Sequence, residues 1–230
     1  MPATAAALFA LVAGCSIVFA SPNTRAFGRL LIRENGPIEI ATFLAFIIGG
    51  LIALHVAWRA HRSGITGALL VMIGLFSMAW VFAGMEEVSW GQSLLGFSSP
   101  AIVQRINVQH ELNVHNLEGI QNLHSFLLFG LGVIGLVLAA VIDRRGYSEL
   151  RVPVNTRVCL GVVAVLGLFD WITDNFPFGN VADTVIGMLA EVNELVLALA
   201  GLLFAIALAR RIGAGVRGRN QARQPSPQLG

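Results

Sequence analysis

The sequence predicts an all-α membrane protein, a polytopic transmembrane helical bundle of about six spans. Three observations lead there. Hydrophobic residues make up 56% of the 230 positions, and the mean hydropathy is +0.75. Charged residues make up only 12%, about half the roughly 25% usual in soluble domains, so a water-soluble core of this size could not hide the apolar surface. Finally, the apolar residues gather in stretches of about 20, the length that a rise of 1.5 Å per residue needs to cross a hydrocarbon core about 30 Å thick.

The stretches are Ala3–Ala20, Ile38–Trp58, Ile65–Gly84, His124–Ile142, Val158–Thr173 and Thr184–Ala209. In the first, Val12-Ala13-Gly14-Cys15 looks like a lipoprotein cleavage box, but no basic residue precedes it and the apolar run continues to Ala20. An uncleaved span is therefore expected; five spans, with the first segment lying flat or removed, is the alternative. His55 and His61 flank one end of the second span, and Glu86 and Glu87 follow the third. The fifth is short, its outer end marked by the acids after Phe169. The sixth is long, which predicts tilt or extension past the bilayer.

Arginine sets the expected orientation. All 15 basic residues are Arg, a bias that hints at a GC-rich bacterial genome and an inner-membrane location. With both termini cytoplasmic, 11 arginines lie inside and 4 outside, at positions 25, 29, 33 and 105, which is the direction the positive-inside bias requires. The three arginines of the first outer loop fit least well. Residues 1–210 form one transmembrane domain, and 211–230, rich in Arg, Gly, Gln, Pro and Ser, reads as a disordered cytoplasmic tail. Cys15 and Cys159 read as small buried hydrophobes. Nothing resembles a nucleic-acid-binding element, and membrane lipids are the partners expected. The sequence leaves the oligomeric state open.

The polar segment 85–123, on the outer side, carries the densest chemistry. Ser98-Ser99-Pro100 offers a helix start, and 101–123 is expected to form an amphipathic helix. On it, Asn107, Glu111, His115, Glu118 and Asn122 recur at helical spacing and make one polar stripe. That stripe reads equally as the wet face of an interfacial helix. Glu111 and His115, four apart, can reach one metal ion. His110 and His115 are five apart and face differently, so the zinc-protease pattern is rejected. Glu191 and Glu194 share a face of the sixth span, within a run that has no other charge. Glu191 lies eight residues beyond Asp183, about 12 Å along a helix. A carboxylate in a span costs roughly 2.5–3.5 kcal/mol to insert, so it needs a partner or a task. Asp170 and Asp174 read as hydrated helix ends, Trp90 and Trp171 as interfacial anchors, and Arg105 as an ion-pair partner for one acid.

Glu86-Glu87-Val88-Ser89-Trp90-Gly91-Gln92, followed by Asn107, Gln109 and Glu111-Leu112-Asn113-Val114-His115-Asn116, resembles a pattern in uncharacterised bacterial multi-pass membrane proteins. The resemblance covers the central quarter of the chain and implies no activity. The residues themselves suggest a metal-dependent enzyme acting on a lipid-like substrate from the outer leaflet. Glu87, Glu111, Glu191 and Glu194 are the candidate catalytic residues. With His115 they are also the candidate ligands of a divalent Zn, Fe or Mn. Two alternatives stand beside this: a proton- or cation-coupled transporter or channel, and a non-catalytic subunit of a membrane complex.

Overall fold

A computed structural model describes the backbone of residues 2–108, 110–114, 116, 117, 119, 120 and 123–222. Six long apolar helices form a bundle: α1 (Pro2–Ala20), α3 (Pro37–Arg62), α4 (Ala68–Glu87), α7 (His124–Arg145), α8 (Val154–Asn175) and α9 (Asn180–Ala222). Three short helices, α2 (Arg25–Ile32), α5 (Gln92–Leu95) and α6 (Ala101–Ile106), decorate one end. Pro37 starts α3 at its first turn, where a missing N–H costs nothing. Gly146, at φ +72°, ends α7 in the left-handed conformation that glycine adopts freely. Asp183 accepts from the backbone N–H groups of Phe178 and Gly179 and so anchors the entry to α9.

α9 is the axis of the bundle, with α1, α3 and α8 packed on it; α4 packs on α3 and α7 on α8. Phe19, at the end of α1, is fully buried against Met188, Leu189 and Val192 near the start of α9. α7 and α8 approach closely because glycines face backbone: a Cβ on Gly132 would lie 2.6 Å from Ala164 N, and one on Gly167 would lie 2.5 Å from Phe129 N. Large apolar side chains such as Leu51, Leu75, Met78 and Ile134 stay exposed along the spans, the surface a lipid environment requires.

The alternation of six spans gathers the ends of α1, α4 and α8 with the starts of α3, α7 and α9. This acid end carries Glu39, Glu86, Glu87, His124, Asp170, Asp174, Glu191 and Glu194. The opposite, arginine end is closed by a dry cluster that includes Ala53, Val56, Ile73, Ala205 and Leu208. Asp143 there holds Arg157 at 2.7 Å and Arg151 at 3.6 Å.

Three expectations change. The helix expected over 101–123 stops at Ile106, and Asn107 instead bridges to Leu117. The helix of the sixth span runs on to Ala222, through part of the segment expected to be disordered, because a nucleated helix extends at little cost per residue. Two of the three arginines of the first loop, Arg25 and Arg29, belong to a separate amphipathic helix, α2, and Arg33 follows its end. The Arg25 guanidinium donates to the carbonyls of Phe19 and Ala20 and caps the end of α1.

Candidate functional site

The acid end has two layers. The upper one is a cap made by 88–117, in which side chains replace helical hydrogen bonds. Asn107 donates through Nδ2 to the Asn113 carbonyl and to Asn113 Oδ1, both at 2.9 Å, while its Oδ1 accepts from the Glu111 N–H at 3.1 Å. Asn side chains compete for backbone groups in this way, and the competition breaks the helix at 107. Asn113 Nδ2 in turn donates to Ser89 Oγ and to Glu111 Oε2 at 2.8–2.9 Å, and the Ser89 hydroxyl donates to Glu111 Oε2 at 2.5 Å. Ser89 and Trp90 hold φ of +45° and +56°, a backbone region that costs a non-glycine residue about 1–2 kcal/mol. Trp90 is fixed there by its indole N–H, which donates to Glu86 Oε1 at 2.7 Å. Glu86 Oε2 accepts from the Val114 N–H at 2.5 Å, so this buried carboxylate ties the end of α4 to the cap.

Beneath the cap lies the acid chamber. His124 Nε2, at the first residue of α7, meets Glu194 Oε1 of α9 at 2.5 Å. Glu191, one turn earlier on α9, lies within electrostatic reach of both, and Glu39, from the first turn of α3, lies within reach of Glu191 and Glu194. Glu87, at the end of α4, faces Glu194, Glu191 and Glu39. Asp170 of α8 is buried and neighbours His124 and Glu194, and Asp174 accepts from the Ser125 hydroxyl at 2.9 Å. Five spans thus contribute to one polar space, and among the described residues no arginine forms an ion pair within it. Glu34, in the turn between α2 and α3, links the two layers. It shares a side-chain hydrogen bond with Glu111, which, with burial and Glu111's charge, holds its carboxyl above the usual range.

Of the candidate site residues, Glu87, Glu191 and Glu194 lie in the chamber. Glu111 lies in the cap instead, with one oxygen already taken by Ser89 and Asn113. His115, Glu118 and Asn122 lie outside the described residues, so the expected pairing of Glu111 with His115 has no described geometry. Asn107 and Glu111 do not share a helical face, because the described residues of 107–117 are not helical. Arg105 forms no ion pair among the described residues. Asp170 is no hydrated end but part of the chamber. Sequence reasoning missed Glu39 and treated His124 only as a boundary. Both occupy the first turn of a span at the end where the other acids converge, and that placement was the available signal. Among the described residues, no three His, Cys, Asp or Glu side chains stand in metal-binding geometry. The chain matches no protein-family model, no curated protein and no solved structure.

Proposed function

We propose that this protein is a membrane transporter in which protons and a small cation compete for the acid chamber. Glu191 and Glu194 of α9 form its floor, with Glu87, Glu39 and His124 around them. The observation that supports this most is the sign of the charge. Carboxylates from α3, α4, α8 and α9 lie around the His124 imidazole, and the ion pairs of arginine among the described residues lie at the far end, on Asp143. Crowded carboxylates in a low dielectric cannot all stay ionised; protons or a bound cation must offset them. Because five separate spans supply these groups, a shift of one span against another changes how many surround the ion. Such a change is the coupling that transport requires. A buried apolar cluster lies at the opposite, arginine end.

The test is proton flux in proteoliposomes carrying an internal pH dye, driven by an imposed gradient of Na⁺ or of Mn²⁺. Wild-type protein is expected to exchange protons for one of these cations. Glu191→Gln and Glu194→Gln are each expected to slow that exchange at least tenfold, while Arg157→Ala leaves it unchanged. Undiminished exchange in both glutamine variants overturns the reading. A metal-dependent enzyme acting on a lipid-like substrate is the second reading, favoured by the nitrogen and oxygen donors that His124 and Glu194 place together. Stoichiometric Zn, Fe or Mn in purified protein, lost in Glu194→Gln, would select it.

A further inference from the structure

The cap contains a second site of opposite electrostatic character. A cavity of about 690 Å³ lies between α5, α6 and the turn at His110, lined by Gln92, Phe97, Ser98, Gln104, Arg105 and His110 among others. No carboxylate lines it among the described residues, a contrast with the chamber below. Some of its polar groups keep donor capacity after the cap's own hydrogen bonds are made, although Gln104 Nε2 already donates to the Ser99 carbonyl at 2.7 Å. Gln92 Oε1 accepts from the Ser99 hydroxyl at 3.0 Å and from the Leu112 N–H at 2.8 Å, so its amide N–H₂ remains to donate. The Arg105 guanidinium is exposed. His110 is held at φ +60°, with Nδ1 2.6 Å from the Gln104 carbonyl. A carbonyl only accepts, so Nδ1 carries the hydrogen.

The surroundings of the cavity are apolar and unburied: Leu95 and Ile102 are 76% and 71% exposed, and Phe97 and Ile106 are also exposed. A guanidinium, an imidazole and amide donors beside bare aliphatic side chains suit an amphiphile with an anionic head. The geometry points to this cavity as a binding site for a phosphate group, carried by the headgroup of an anionic phospholipid whose acyl chains lie over Leu95 and Ile102. This site is independent of the transport reading, since it shares no residue with the chamber.

Binding is measured on the full chain in neutral detergent by native mass spectrometry. Three arms are titrated: phosphatidylglycerol, phosphatidylcholine and inorganic phosphate. Wild-type protein is expected to retain phosphatidylglycerol over phosphatidylcholine. Arg105→Gln and His110→Asn are each expected to weaken that retention about tenfold, Asn being chosen because it tolerates the left-handed backbone. Arg105→Lys, which keeps the charge, is expected to hold most of it; loss in Lys as large as in Gln overturns the charge argument. Equal retention of phosphatidylglycerol by wild type and Arg105→Gln overturns the site itself. Tight inorganic phosphate binding that Arg105→Gln abolishes, with no preference between the two lipids, keeps the phosphate and overturns the lipid as its source.

Discussion

The His124–Glu194 pair makes an asymmetric prediction. At 2.5 Å, with 27% and 18% of the two side chains exposed, it is neither a surface pair, worth about 0–1 kcal/mol, nor a fully buried one, whose breaking costs about 3–5 kcal/mol. A hydrogen bond to a charged group contributes about 1.5–3 kcal/mol, and the coupling between the two residues is expected near 2 kcal/mol on that scale. The single variants should differ. Glu194→Ala removes the partner of His124, but it also removes a negative charge one turn from Glu191. At roughly 6 Å and an effective dielectric of 20, that repulsion is about 3 kcal/mol before solvent compensation. Its net cost is therefore small, about 1 kcal/mol. His124→Ala instead leaves Glu194 without its imidazole partner among Glu191, Glu87 and Asp170, and its cost is about 3 kcal/mol. The assay is equilibrium unfolding of both single variants and the double variant in mixed micelles of increasing SDS fraction, followed by tryptophan fluorescence. The cycle also separates this pair from the other contact that Glu194 makes. Equal costs for the two alanines, or a coupling below about 0.5 kcal/mol, would refute the placement of His124 as the partner of Glu194.

Two predictions concern the frame around the chamber. Gly132→Ala and Gly167→Ala each place a Cβ within 2.6 Å of backbone on the facing helix; backbone cannot rotate aside, so each should cost about 1–3 kcal/mol in the same unfolding assay and loosen the α7–α8 contact. Ser89→Ala removes a donor to Glu111 and the acceptor of Asn113 from a buried site. It should cost about 2–4 kcal/mol and raise proteolytic cleavage within 88–117, read by limited digestion in detergent; protection unchanged from wild type would show that the cap does not depend on this bond.

The spans were legible because lipid imposes a simple requirement, about 20 apolar residues in a row, and the sequence meets it six times. The segment 101–123 was misread for a physical reason. A spacing of four, four, three and four places side chains on one face only if the backbone is helical. Asn107 and Asn113 spend their amides on backbone groups instead, so the same residues close a turn. Glu191 and Glu194 stood out because nothing near them in sequence excused their charge. Glu39 and His124 did not, because a polar residue in the first turn of a span has an ordinary explanation at the interface; only the packing of α3 and α7 around α9 gives them a common neighbour.

Glu86 and Glu87 show how the two layers are joined. Consecutive residues on a helix point about 100° apart, so adjacent acids at the end of α4 cannot serve one site. Glu86 turns to the cap, where both its oxygens accept from Trp90 and Val114. Glu87 turns to the chamber and faces Glu194 and Glu191. The polar run from Glu86 through Ser89, Trp90 and Gln92 to Asn107, Glu111 and Asn113 is then chiefly the framework of the cap. Of its members, Glu87 enters the chamber, and Glu111 touches it through Glu34. A rearrangement of the cap that pulls on Glu86 must therefore rotate or shift the end of α4. Glu86 thus joins the cap to the end of α4, whose last residue, Glu87, faces Glu194 and Glu191 of α9.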